Sequence, residues 1–79
     1  YPSKFRTDLL GESTIIRLFD EYGNYLDNKT IHLIVDGGTP YDEITHNGVI
    51  WLPIYPKELY MVFDGDSDYY GCSHYVHYG

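Results

Sequence analysis

The chain has 79 residues, a net charge of −7 from twelve acidic and five basic side chains, and ten tyrosines beside three phenylalanines and one tryptophan. That length allows one domain around one small core, since folding at this size buries only about 60% of the unfolded surface. The negative balance argues against a nucleic-acid or anionic-membrane partner, since both require a cationic footprint, and no apolar run approaches the ~20 residues that cross a bilayer.

Short strand-like pieces follow one another with turn residues between them. Lys4–Leu9 ends at Gly11, and Thr14–Phe19 (TIIRLF) closes on the polar DEYGNYLDN. In Lys29–Val35, Ile31, Leu33 and Val35 share one face while Thr30 and His32 take the other. Asp36-Gly37-Gly38-Thr39-Pro40 is a turn, with glycines free to adopt positive φ and a proline that cannot donate. Tyr41–Thr45 is a short strand, and His46-Asn47-Gly48 carries an Asn-Gly hairpin signal. Val49–Ile54 (VIWLPI) is more continuously apolar and reads as a central or sheet-switching strand that Pro53 ends. Glu58–Phe63 puts Leu59, Met61 and Phe63 on one side, and Cys72–Tyr78 is the last strand. Helical spacing around Tyr22 to Ile31 is broken by Gly23, Asn24 and Asn28. Seven short strands with turns at this interval predict an all-β, antiparallel sandwich, in which Trp51, Phe19 and Phe63 are the expected core anchors.

Phe63–Gly71 (FDGDSDYYG) sets Asp64, Asp66 and Asp68 at alternate positions, the opening spacing of a calcium loop. A helical calcium loop needs glycine at its sixth place and glutamate at its twelfth, where this chain has Tyr69 and Tyr75. The expected role is therefore a hairpin turn, with Gly65 giving backbone freedom, Asp66 accepting from loop amides and Tyr69 folding over the core edge. A looser cation site on the three aspartates is the alternative. His74 and His77 lie three apart and point to opposite faces of a strand, so they cannot chelate together. Cys72 and His74 share a face but stand ~7 Å apart along a strand, too far for the ~3 Å that direct proton transfer needs. No cofactor is implied and no enzymatic set emerges. Asn28-Lys29-Thr30 is a glycosylation acceptor triplet at a loop–strand junction.

Ten tyrosines exceed what a small core needs. Tyr22 and Tyr25 fall in one loop, and Tyr69 and Tyr70 in another. Exposed rings beside carboxylates can stack on sugars or make protein contacts, so these four are the candidate binding residues.

Three features occur in order: LFDEYGNYLDNKTIHLIVDGG, containing Asp20, Gly23 and Leu26; the Asn47-Gly48 turn; and MVFDGDSDYYGCS, containing Phe63, Gly65, Asp66 and Tyr69. This set resembles the immunoglobulin-like repeats of adhesin-like surface proteins, known mainly from methanogenic archaea with relatives in bacterial surface proteins. The resemblance covers nearly the whole chain. It departs at the end of the closing element, where Cys72 and His74 replace small residues, and at Tyr55-Pro56-Lys57, where a Pro-Gly turn is usual. It implies one immunoglobulin-like sandwich over residues 1–79, extracellular and non-enzymatic, that spaces or presents a binding region at the cell surface. Its implied partners are neighbouring immunoglobulin-like domains of the same chain and a glycan or protein on another cell. The alternative is a carbohydrate- or protein-binding module, accessory to a surface enzyme. Beginning at Tyr1 without a basic-then-apolar leader, the chain is expected to be a piece of a longer protein. Surface domains of this kind sometimes form a lysine–asparagine isopeptide bond. Lys4 is suitably early, but Cys72–Gly79 offers no partner, and Lys29 and Lys57 lie near turns.

Overall fold

Alternation in sequence becomes alternation in burial. Along STIIRLFD, Thr14, Ile16, Leu18 and Asp20 are buried while Ser13, Ile15, Arg17 and Phe19 are only partly covered. The computed structural model describes residues 1–78, and none of them is helical. Seven strands follow in chain order: β1 (Ser3–Leu10), β2 (Ser13–Asp20), β3 (Thr30–Val35), β4 (Tyr41–Ile44), β5 (Val49–Leu52), β6 (Glu58–Gly65) and β7 (Tyr70–His77). They form two antiparallel sheets, one ordered β1-β2-β5 and the other β4-β3-β6-β7.

Both sheets contribute to one apolar cluster, giving a β-sandwich-like fold. Phe5, Ile16, Leu18, Ile50 and Leu52 come from the three-stranded sheet. Ile31, Leu33, Leu59, Met61 and Phe63 come from the other, with Leu26 added from a loop. A fully buried aliphatic side chain contributes about 1.5–3 kcal/mol. Ile16, Leu18, Ile31, Leu33, Leu59 and Met61 are all of that kind and form the centre of stability. As expected, Ile31 and Leu33 are buried and Val35 packs against them.

Turn chemistry follows the sequence closely. His46 and Val49 exchange two backbone hydrogen bonds of 3.0 Å, with φ of 53° at Asn47 and 78° at Gly48. Both central residues are left-handed, which is the two-residue turn matching the twist of a hairpin. Gly48 is also pressed against Tyr25, where a Cβ would lie 2.3 Å from that of the tyrosine. Glycine is required there on two counts.

Two expectations are corrected. β5 is an edge strand, paired with β2 alone, rather than a central or sheet-switching one. Its run of apolar residues is divided between faces: Ile50 and Leu52 enter the core, while Trp51 is 58% exposed on the outside. Trp51 is therefore no core anchor, and Phe19 is only partly buried on the same outer face, opposite Lys4. Phe63 alone of the three expected anchors is in the core.

The strands are laid between two poles. β1 and β7 run in the same direction, and their starts meet at one pole. There the Tyr70 N–H donates to the Tyr1 carbonyl at 2.8 Å, and Ser3 Oγ donates to the Tyr70 carbonyl at 2.7 Å. At the opposite pole, the Tyr78 N–H donates to the Lys57 carbonyl at 2.7 Å. The body measures 33 × 23 × 18 Å.

Candidate functional site

The pole where β1 and β7 begin collects most of the residues singled out in the sequence. Its first half is the loop after β2, organised by Asp20. One carboxylate oxygen accepts from the backbone N–H groups of Tyr22 and Asn24, both at 2.9 Å, and the other from Asn24 Nδ2 at 3.3 Å. Gly23 takes a φ of 85° and donates its N–H to the Asp20 carbonyl. Burial alone would raise the Asp20 pKa, but the hydrogen bonds from Asn24, Tyr22 and Gly23 outweigh it and hold the carboxyl below its usual range. Leu26 then enters the core. The Asp-x-x-Gly-x-x-Leu spacing thus has a mechanical meaning: an acid that ties the loop, a glycine that bends it and a leucine that anchors it.

The second half is the β6–β7 turn. Gly65 has a φ of 89°, and its missing Cβ leaves room for the Gly71 backbone. Asp66 Oδ1 accepts from the N–H groups of Asp68 and Tyr69, each at 2.9 Å, as the turn reading expects. Its other oxygen receives the Lys29 ammonium. That ammonium, followed by the Asp68 and Tyr69 amides, keeps the Asp66 carboxyl below its usual range. Lys29 Nζ also lies 5.4 Å from the centre of the Tyr69 ring, within cation–π reach. The proximity of Lys29 and Asp66 is that of an ion pair. Isopeptide formation would need a neutral amine, a protonated carboxyl and loss of water, and two amides plus an ammonium favour the opposite charge states.

The carboxylates of Asp64 and Asp66 go to different partners, and Asp68 is engaged through its backbone carbonyl. Asp64 Oδ2 meets His32 Nε2 at 2.6 Å, Asp66 holds Lys29, and the Asp68 carbonyl accepts from the Tyr1 nitrogen at 2.8 Å. Among the described residues, no group of three histidine, cysteine or acidic side chains is arranged to hold a metal ion. His32 bridges three strands, because its Nδ1 meets Asp42 Oδ1 of β4 at 2.6 Å. The hydrogen bonds to Asp42 and Asp64 raise its pKa above the usual 6.5. Sequence reading passed over this arrangement, and β-strand register is the signal that finds it: His32 faces Asp42 directly and Val62 on the other side, placing Asp64 one step along the same face. A shallow cleft of about 400 Å³ runs past His32 and Asp64 to Lys29, Asp66 and Asn28.

The four candidate tyrosines divide. Tyr22 and Tyr69 are gathered around Tyr1, with ring centres 6.1 and 6.4 Å from it. Tyr69 packs over the core edge as expected. Tyr22 is 71% exposed. Tyr25 instead turns onto the outer face of the three-stranded sheet, edge-on to Phe19 at 6.4 Å. Tyr70 opens β7, is 72% exposed and lines a small hollow together with Tyr1 and Tyr69. Asn28 is exposed in a left-handed conformation, φ 55°, with its N–H shared between Asp27 Oδ1 and the Thr45 carbonyl. Its side chain is accessible at the mouth of the cleft.

Cys72 is half-buried, and its Sγ lies 3.2 Å from Ser3 Oγ. Burial raises the pKa of the thiol, so it is held in the protonated, weakly nucleophilic form. The groups gathered at this pole are edge-on and tilted rings, tied carboxylates and one bridged imidazole. Comparison with protein-family models, with curated proteins and with solved structures finds no match for the chain.

Proposed function

We propose that the chain is an immunoglobulin-like module of an extracellular, adhesin-like surface protein, non-enzymatic, whose task is to space or present a binding region. One observation carries the reading: β1 and β7 run side by side in the same direction, so the chain enters at one pole and leaves at the other. Load applied between the ends then pulls β1 and β7 along their lengths. Their ladders with β2 and β6 lie across the pull and share it in shear. The register supports this, since all eight residues of β1 face β2 and the β6–β7 ladder runs from Glu58 to Tyr70. The strand order also supports an immunoglobulin-like topology. The constant-type arrangement has its first, second, fifth and fourth strands in one sheet. Transferring the fourth to the edge of the third yields the three- and four-stranded sheets seen here. Tandem copies joined pole to pole would make an extended stalk.

The test is single-molecule pulling of tandem copies by their ends. A spacer is expected to unfold one domain at a time, in discrete steps at high force. Gradual extension at low force would contradict the reading.

A second reading, recognition of a glycan or protein at the aromatic pole, is favoured by the exposure of Tyr22 beside Tyr1, Tyr69 and the cleft. A glycan array separates the two. Binding that is lost on Tyr22→Ala and Tyr69→Ala would establish recognition, whereas no binding by a folded domain leaves the spacer.

A further inference from the structure

The two outer faces of the molecule carry opposite charge beside apolar patches. On the outside of the three-stranded sheet lie Lys4, Arg6 and Arg17, three of the five basic residues in the chain, with Asp8 as the acid among them. Beside them the face is apolar: Trp51 of the edge strand β5 pairs with Ile15 of β2, and Leu10 is 67% exposed at the margin. Asp8 accepts from Arg17, while Arg6 stands largely in solvent and approaches Asp8 only at 3.5 Å. A basic patch on a chain of net charge −7 is not explained by solubility. Neither is an exposed tryptophan beside Ile15 with Arg17 diagonal to it, an aromatic–arginine composition enriched at interfaces.

The outside of the four-stranded sheet is the complement. Ile34, Tyr60 and Val62 occupy its middle, since they share the face of His32 by register. Around them stand Asp42, Asp64 and Glu58. His32 sits between the first two acids, leaving the face acidic. A polyhydroxylated ligand gains little from aliphatic Ile15 and Leu10, so a protein is the better fit to the basic face. Two copies of the basic face would set arginine against arginine. Basic face against acidic face pairs opposite charges beside two apolar patches.

We propose that the chain associates with a second copy of itself, the Trp51–Arg6–Arg17 face of one copy docking on the Ile34–Tyr60–Val62 face of the next, with Asp42 and Glu58 opposite the arginines. The flat of the molecule, 33 × 23 Å, is smaller than the ~800 Å² per partner of a standard interface, which places the contact in the weak, reversible class. Because the two patches differ, the contact is heterologous, and repetition builds open arrays rather than closed dimers. The arrangement is lateral, independent of any end-to-end joining.

Complementation between face variants tests this directly. Lys4→Glu with Arg6→Glu removes the basic face and keeps the acidic one. Asp42→Lys with Glu58→Lys does the reverse. By sedimentation velocity, wild-type chain is expected to associate as concentration rises, and each double variant alone to associate at least ten-fold more weakly. Mixed in equal amounts, the two variants are expected to regain association, since the retained basic face meets the retained acidic one and the two reversed faces also carry opposite charge. Circular dichroism checks that both fold, and Trp51→Ser, at an exposed position, repeats the loss without changing charge. Wild-type chain that stays monomeric, a variant that self-associates as wild type does, or a mixture that fails to pair would each overturn the proposal.

Discussion

His32 has both ring nitrogens 2.6 Å from carboxylates on neighbouring strands. Protonated, it donates to both and ties β4, β3 and β6 together, so the folded state holds this proton more tightly than the unfolded chain does. A raised folded pKa places the sign: the stabilisation is complete below the ordinary value of 6.5 and disappears as pH rises through the higher folded value. Urea midpoints measured between about pH 5 and 9 are expected to fall with rising pH in wild type. In His32→Gln that slope should be absent. Asp20 and Asp66 act with the opposite sign. Their depressed pKa values give stability that is present above the ordinary 3.8 and lost as pH falls through their lower folded values. With the titration extended below the ordinary 3.8, Asp66→Asn is therefore expected to flatten the acid limb while leaving the alkaline slope intact. The pairing of Lys29 with Asp66 as an ion pair has a covalent corollary: the intact mass should equal that of the sequence, with no water lost.

Elements were legible in this sequence where one local rule decided them. Ile31-His32-Leu33 alternates in composition and so in burial. Asn47-Gly48 specifies a hairpin because both residues tolerate left-handed backbone. Asp66 behaves as a turn acid because its oxygen reaches amides two and three residues on. Trp51 was misplaced because hydrophobicity does not say which side of a strand faces the core. In VIWL the alternation is hidden, as both faces are apolar and only pairing with β2 sorts them. The Asp42–His32–Asp64 bridge was invisible for a related reason: its members are 10 and 32 residues apart and meet only through register. Turn glycines give a clean test of local rules against packing. Gly48→Ala forces a residue with Cβ to a φ of 78° and into Tyr25, at an expected cost of about 2 kcal/mol or more. Gly37→Ala meets the same kind of backbone strain, φ 68°, with nothing within 4 Å, and should cost about 1–2 kcal/mol. Equal urea-unfolding energies for the two would remove the packing role assigned to the Gly48–Tyr25 contact.

At the scale of the whole molecule, two small sheets share one core, and the chain is threaded so that its first and last strands lie parallel. Sequence patterns located the strands, but the loop between β2 and β3 and the partnering of β4 with β3 had to form before poles and faces existed. Those poles are what give the aromatic cluster its position and the strands their load direction. Direction is also what can be measured. Held by its two ends, the domain is loaded in shear across whole ladders. Held at Tyr1 and Glu21, beside the paired residues Ser3 and Asp20 that begin β1 and end β2, it is opened like a zipper, one hydrogen bond at a time. Optical-tweezer pulling of the same protein in both geometries should give a clearly higher unfolding force end to end than through the β1–β2 pair. Equal forces, or a stronger zipper direction, would contradict a module built to carry load from pole to pole.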